Sequence, residues 1–548
     1  MNWWKNETVY QIYPRSFQDT NKDGIGDIIG IINRLDYLEE LGIGVIWLSS
    51  IFKSPNFDNG YDVSDYKAVN PEYGTMEDLE ELLVEADKRK IKVMMDIVLN
   101  HTSEQHAWFL EAKKGKDNPY RDYYVWRDSI NGGVPNELPG GFGGSAWEYD
   151  EASEQYYLHL FSKHQPDLNW ENPKMRQEIW DMMEFWIQKG VRGFRLDVVD
   201  LIGKVPDKMI TVNGPKLHDY LQEMNRSAFG NEDILTVGEA WSASPESAKL
   251  YSNPERKELS MVFSFEHMVL DEVPGTSKWM IKPFTVIDLK RALAKWQNSL
   301  EKDGWNSLFW NNHDLPRIVS RWGNETDYRV ESSKMFAILL HLLKGTPYIY
   351  QGEEIGMTNS TINSFADIDD IDGKMMYKEW ASEGRSEAEI LQALNKKGRD
   401  NARTPVQWDR TEQAGFSKGK PWMRVNKNYK NINVKEALEN PDSIFYTYQK
   451  LIKLRKENPL VVSGSFRLLH PDHPQIIVYE RSYEGEKWVV AANMSEEWVD
   501  FQLTKQPNVG ETILSNYKKE TYQLNNLHFR PFETFVVRNN SKNELNSL

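Results

Sequence analysis

Eight short runs rich in β-branched and aromatic residues recur along the 548-residue chain, at 8–13, 45–50, 93–99, 193–198, 235–239, 260–265, 306–311 and 346–350. Between them lie segments that open on a capping residue and repeat apolar positions at helical spacing, such as Thr75-Met76-Glu77-Asp78-Leu79 onward. Strands that alternate with helices pair in parallel, because each crossover returns the chain to the same end of the sheet. Eight such units predict an α/β fold, a (β/α)8 TIM barrel, whose chemistry belongs at the C-terminal ends of the strands.

Two connections are too long for ordinary barrel loops. Residues 102–167, polar, aromatic and carrying Gly140-Gly141-Phe142-Gly143-Gly144, are expected to form an inserted subdomain after strand three. Residues 355–425, after strand eight, carry Asp369-Asp370-Ile371-Asp372 and Gly398-Arg399-Asp400-Asn401-Ala402-Arg403 and are expected to help wall a pocket. Beyond the helix-like 441–457 the pattern turns to short alternating runs such as Gln475-Ile476-Ile477-Val478-Tyr479, which predict a C-terminal antiparallel β domain. The expected division is therefore barrel 1–101 and 168–461, subdomain 102–167, and β domain 462–548, with the polar tail 541–548 frayed.

Three predicted strands end in carboxylates: Asp197 in Gly193-Phe194-Arg195-Leu196-Asp197, Glu239 in Leu235-Thr236-Val237-Gly238-Glu239, and Asp314 beyond Phe309-Trp310-Asn311-Asn312-His313. Arg195 and Asp197, two apart on one strand face, also fit a purely structural ion pair. Three coincidences at strand ends favour a site.

These strand ends, with Asp96-Ile97-Val98-Leu99-Asn100-His101 and Gln165-Pro166-Asp167-Leu168-Asn169, resemble the ordered signatures of glycoside hydrolase family 13, the α-amylase superfamily, over nearly the whole chain. Within it the chain looks most like the oligo-1,6-glucosidase and glucan 1,6-α-glucosidase group. The resemblance implies a retaining, exo-acting α-glucosidase that cleaves α-1,6 bonds at the non-reducing end of an oligosaccharide through a covalent glucosyl-enzyme. Asp197 would be the nucleophile, Glu239 the acid/base and Asp314 the third carboxylate, with Arg195 keeping Asp197 ionised. Asp58, Tyr61 and Arg399 would close the pocket around the terminal glucose, and His101 and His313 would donate to its hydroxyls. Trp241 would lie beside the leaving sugar, joined by Lys278, while Val198 goes with α-1,6 preference where Thr goes with α-1,4. Gly238-Glu239-Ala240-Trp241 weakens the case for trehalose-6-phosphate hydrolase, the nearest alternative; sucrose isomerase and α-1,4-glucosidase stand further off. Catalytically silent accessory chains of transporters, the alternative class, lose these carboxylates and carry a membrane span.

Asp19-Thr20-Asn21-Lys22-Asp23-Gly24-Ile25-Gly26-Asp27 sets oxygen-bearing side chains at alternate positions around a glycine turn, as a hard cation requires. The twelfth position of an EF-hand would be Gly30, not Glu, so a helix-loop-helix site is excluded; an Asn/Asp-rich turn without metal remains open. By resemblance this is a structural Ca²⁺ loop, with Asp19, Asn21, Asp23, Asp27 and the Ile25 carbonyl as ligands. Sixty-six basic against 82 acidic side chains leave a net charge of −16, which disfavours nucleic acid and anionic lipid as partners. A chain without Cys and without a signal-peptide pattern at its start is expected to work in the cytoplasm, as a monomer.

Overall fold

The computed structural model describes residues 2–504 and 509–538, so the tail expected to fray at 541–548 lies outside the described residues. Eight strands form the barrel: β1 (Val9–Ile12), β2 (Val45–Leu48), β3 (Lys92–Val98), β4 (Gly193–Asp197), β5 (Leu235–Glu239), β6 (Met261–Phe263), β7 (Ser307–Leu308) and β8 (Thr346–Tyr350). They pair in parallel in the order β6-β5-β4-β3-β2-β1-β8-β7, and a parallel bridge between Val262 and Asn306 closes the ring. Every predicted strand lies within a residue or two of its place except the seventh, which stops at Leu308 rather than 311.

The helices follow from their ends. Met76–Lys88 starts at a capping box in which the Thr75 side chain accepts from Asp78 N–H while Asp78 reaches back to Thr75 N–H. Pro173–Lys189 opens on an Asn172 cap with Pro in its first turn and stops at Gly190 in the left-handed conformation, φ 110°. Its buried face, including Ile179, Met183 and Trp186, packs into the main core. Close approach of β3 and β4 requires Gly193: a Cβ there would stand 2.9 Å from the side chain of Met94. That approach sets Asp96 opposite Arg195 in the register.

The chain leaves the barrel after β3 and returns at an antiparallel bridge between His101 and Asp167; between them Trp126–Asp128, Trp147–Asp150 and Gln155–Leu158 form a three-stranded sheet. After β8, helices Ile371–Ser382 and Glu387–Lys397 bury their own small core around Met376, Trp380 and Leu394. From Ser465 onward a six-stranded antiparallel sheet forms, docked on the barrel by Lys290, whose ammonium donates to the carbonyls of His470, His473 and Ile476.

Two adjacent buried carboxylates after β8 brace the barrel from beneath the site. Glu354 accepts from Tyr10 and Tyr37 hydroxyls at 2.8 and 2.7 Å, and Glu353 accepts from Tyr448 at 2.6 Å and from the amide of Asn311. The other end of the Asn311 amide accepts from Ile318 N–H at 2.7 Å, so Glu353 anchors the turn between β7 and the next helix. Burial pushes the Glu353 carboxyl up to about 7, against the hydrogen bonds from Tyr448 and Asn311. A raised carboxyl means that the folded state holds more protons than the unfolded one between about pH 4.5 and 7, so stability from this group is present at low pH and lost as pH rises through about 7. Glu353→Gln is therefore expected to gain stability relative to wild type as pH goes from about 4.5 to 8, by up to about 3 kcal/mol, read as a shift in thermal midpoint. A midpoint difference that does not change with pH in thermal melts would overturn the buried proton.

Candidate active site

Arg195, 1% exposed, lies under the strand tips and touches three carboxylates. Its Nη1 is 2.7 Å from Asp96 Oδ1 and 2.7 Å from Asp197 Oδ1, and its Nη2 is 2.6 Å from Glu239 Oε2. Asp96 also accepts from Tyr61 Oη at 2.8 Å and Trp47 Nε1 at 3.1 Å. Arg195 does lie beside Asp197 as expected, but it does not by itself hold that group ionised. One guanidinium faces three buried carboxylates, and burial, helped by Glu239 and Asp96, raises Asp197 well above the usual range against the pull of Arg195. Burial likewise raises Asp96 to about 6.

Directly after Asp197 the chain turns sharply: Val198 has φ 36° and ψ 47°, a left-handed conformation that a β-branched residue adopts only under strain. The turn aims Val198 N–H at Glu239 Oε2, 3.2 Å away. Glu239 Oε1 accepts from Trp241 Nε1 at 3.0 Å, and the Trp241 ring, 44% exposed, stacks on Phe265 at 3.8 Å. Gly238 makes room for this crowding, since a Cβ there would come within 2.7 Å of Val199.

Asp314 sits six residues past the end of β7, on an irregular turn rather than at the strand end predicted for it. The cause is local: Asn312 Oδ1 accepts from Asp314 N–H, and Asn311 bonds to Ile318 and Glu353 instead of extending the ladder. Asp314 Oδ1 is 2.7 Å from Arg403 Nη2 and 3.3 Å from Arg399 Nη1. Burial would raise its carboxyl, but His313, Arg399 and Arg403 hold it well below the ordinary range. At neutral pH the two arginines supply that charge, because burial pushes His313 itself down to about 3. The Gln11 amide faces His313 Nδ1 at 2.8 Å, which leaves Nε2 to carry the proton toward Asp314, 3.5 Å away, while Tyr61 stacks on the ring at 5.2 Å.

Arg399 and Asp58 do meet, 3.3 Å apart, yet Arg399 binds Asp370 more closely, at 2.6 Å. Asp62 shapes the turn that presents Asp58 by accepting from the N–H groups of Phe57 and Asp58. His101 faces the Tyr61 carbonyl with Nε2 at 3.0 Å, so its proton is already engaged there rather than free for a sugar hydroxyl. Behind it, Lys204 donates to Asn100 at 2.6 Å and pairs with Asp167 at 3.1 Å, tying the inserted subdomain to the segment after β4.

Every residue predicted for catalysis or sugar contact except Arg195 lines one cavity of about 470 Å³, with Arg195 forming its floor. The cavity also takes Phe142 and Phe161 from the inserted subdomain, and Trp279, Glu272, Asp372 and Lys397 at its mouth. Sequence reasoning missed these, along with Asp96, Gln165, Asp370 and Arg403, although six of them stand in quoted motifs, Asp96 and Gln165 at the head of two strand-end signatures. Phe142 sits in the glycine-rich run, and Asp370, Asp372 and Arg403 in the charged runs after β8.

The loop 19–27 lies apart from this cavity and packs on residues 415–422; Gly24 meets the Lys420 carbonyl so closely that a Cβ would overlap it. Asp27 accepts from Gly30 and Thr20 N–H and caps the helix Ile28–Ile32, and Asp19 accepts from Lys22 N–H, Gly24 N–H and the Ser417 hydroxyl. Asp23 Oδ2 accepts from the Asn21 amide. The donors are all oxygen, as a hard cation needs, but among the described residues no three His, Cys, Asp or Glu converge on one point. The Asn21 carbonyl oxygen accepts from Asp23 N–H at 2.9 Å.

Comparison with known proteins places this geometry. The chain is 55% identical over 538 residues to a glucan 1,6-alpha-glucosidase of Streptococcus pneumoniae, covering 98% of this chain and 99% of that protein. It is 53% identical over 553 residues to an oligo-1,6-glucosidase of Bacillus cereus, again covering 98% and 99%. A solved trehalose-6-phosphate hydrolase of Bacillus licheniformis superposes with a TM-score of 0.93 at 46% identity, over 98% of this chain and 100% of that one. Residues 466–536 match the maltogenic amylase C-terminal domain, and residues 11–464, the whole site among them, match the alpha amylase catalytic domain. The chain belongs to the α-amylase family, glycoside hydrolase family 13.

Proposed function

We propose that this chain is a retaining, exo-acting α-glucosidase that hydrolyses α-1,6-glucosidic bonds at the non-reducing end of isomaltooligosaccharides and dextran-derived glucans, releasing glucose. The observation that carries it is the single guanidinium shared by Asp197 and Glu239 on the floor of a cavity. Two carboxylates held on one arginine suit the close spacing of a retaining pair, about 5–5.5 Å, better than the wider gap that leaves room for an inverting water. In this reading Asp197 attacks the anomeric carbon while Glu239 gives its proton to the leaving oxygen. Glu239 then takes a proton from the water that attacks the glucosyl ester and frees Asp197. Three carboxylates on one arginine share their protons, and the step requires that the shared proton stand on Glu239 while Asp197 is ionised. Asp314, ionised beside Arg399 and Arg403, accepts from sugar hydroxyls and faces the positive charge that grows at the ring.

The cavity favours a neutral leaving sugar. At its mouth Lys278 pairs with Asp372, and Lys397 pairs with Asp271 and Glu272 at 3.1 and 2.6 Å, so neither ammonium is left over for a phosphate. This supports the α-1,6-glucosidase reading over trehalose-6-phosphate hydrolase. Arg399, drawn to Asp58, Asp314 and Asp370, ties together the walls of the cavity, which supports an exo-acting pocket. The reading takes a monomer in the cytoplasm as its setting. For the loop 19–27, Ca²⁺ held by Asp19, Asn21, Asp23, Asp27 and the Ile25 carbonyl would rigidify the seam with residues 415–422 and enter no chemical step.

Asp197→Asn is expected to lose turnover with the fold intact. Glu239→Ala should lower kcat/KM on isomaltose by about 10²–10⁴ and far less on an aryl glucoside whose leaving group needs no proton. Equal losses on the two substrates would remove Glu239 from the acid role.

Val198→Thr keeps shape and backbone strain but adds a hydroxyl, worth roughly 0.5–1.5 kcal/mol if it bonds the leaving sugar. The expected result is a several-fold higher maltose to isomaltose ratio of kcat/KM, about ten-fold at most. A wild type that already prefers maltose would sink the α-1,6 assignment.

Exhaustive chelation should lower the thermal midpoint and added Ca²⁺ restore it, since a ligand at about 100 times its Kd stabilises by about 2.7 kcal/mol. An unchanged midpoint, with no metal by elemental analysis, would leave the loop a hydrogen-bonded turn.

A further inference from the structure

The segment after β4 and the turn after β5 are joined by a carboxylate that the steps above do not use. Asp200 is 2% exposed, and its Oδ2 accepts from both the N–H and the hydroxyl of Ser242, at 3.1 and 2.5 Å. Asn213 adds a second tie: its N–H donates to the Asp200 carbonyl at 3.0 Å and its amide to the Ser242 hydroxyl at 3.0 Å. Asp200 lies three residues past Asp197, in the short helix Val199–Leu201, and Ser242 three residues past Glu239. The tie therefore spans the two chain segments that carry the reacting carboxylates.

Its consequence runs through Trp241, between Glu239 and the anchor. That ring is 44% exposed and held on one face by Phe265, so the core does not clamp it, yet its Nε1 donates to Glu239 Oε1 at 3.0 Å. Any slip of the turn at Ser242 moves the donor that orients the acid. The titratable groups that face Asp200 are Glu239 and, from the helix Pro245–Ser252, Tyr251. Burial raises the Asp200 carboxyl to about 6 while the Ser242 donors oppose it, so its grip as a carboxylate depends on those two bonds.

We propose that Asp200 is a positioning residue: by gripping Ser242 it fixes the turn that carries Trp241, and so sets Glu239 at the height of the leaving-group oxygen. This rests on the reading of Glu239 as the acid. Loss of the grip should cost most where proton delivery matters most, on isomaltose, whose leaving alkoxide is poor, and least on 4-nitrophenyl α-glucoside, whose phenolate leaves unaided.

The test compares both substrates in wild type, Asp200→Ala, Asp200→Asn, Ser242→Ala and, as reference, Glu239→Ala. Asp200→Ala is expected to lower kcat on isomaltose about ten-fold or more, and to stay within about three-fold on the aryl glucoside. Asp200→Asn, which keeps an acceptor oxygen, should recover most of the isomaltose turnover, and Ser242→Ala should show a smaller loss of the same kind. Equal loss on both substrates in Asp200→Ala, or an Asn variant no better than the Ala variant, would overturn the proposal. If Asp200→Ala does not fold, Ser242→Ala decides, because it keeps the backbone N–H donor: a loss confined to isomaltose supports the role and no such split refutes it. Failure of Glu239→Ala to show the split would instead bring down the acid assignment itself.

Discussion

One buried cation organises the catalytic end of this barrel. Arg195 carries the only positive charge in direct contact with Asp96, Asp197 and Glu239 among the described residues, and those three come from three adjacent strands, β3, β4 and β5. Removing a partner from such a cluster leaves uncompensated buried charge, which is far costlier than the cluster is stabilising. The arginine thus ties the strand tips together and sets the electrostatic state of the carboxylates. The same guanidinium that draws Asp197 and Glu239 close faces three carboxylates at once, and burial raises Asp197 and Asp96 against its pull.

A second charge cluster stands across the cavity with the opposite balance. Asp314 meets two arginines, Arg399 and Arg403, which also share Asp370, and its carboxyl is held low where that of Asp197 is raised. One pocket thus holds Asp314 ionised while the carboxylates on Arg195 share what protons they keep. The two histidines that line the cavity do not add charge, since burial depresses both, His101 to about 4 and His313 to about 3. They serve as neutral hydrogen-bonding surfaces with fixed tautomers.

Strain and packing supply the precision that charge alone cannot. Val198 is held left-handed at the exit from β4, and that conformation turns its N–H onto Glu239. Gly238 lets Val199 press against β5, and Glu353 holds the Asn311 end of the turn that presents His313 and Asp314. Each device lies beneath or beside the cavity, which is why a rigid barrel can carry irregular loops without losing their geometry.

Strand positions, helix ends and the carboxylates at the tips of β4 and β5 were legible in the residues because periodicity, caps and charged strand ends are local signals. Helix 173–189 begins and ends where Asn172, Pro173 and Gly190 say it must. What local pattern could not show was partnership. Nothing near Asp96 in the chain marks it as a third partner of Arg195, and nothing near Arg403 tells that it joins Arg399 on Asp314, or that Asp370 shares both arginines. Asp314 was expected at a strand end because apolar residues continue to Trp310, yet side-chain bonds from Asn311 and Asn312 end the strand early. The sequence by itself determined which residues could do chemistry and at which end of the barrel. Only the tertiary structure decided how many carboxylates one arginine must serve, because that depends on distances between strands far apart in the chain.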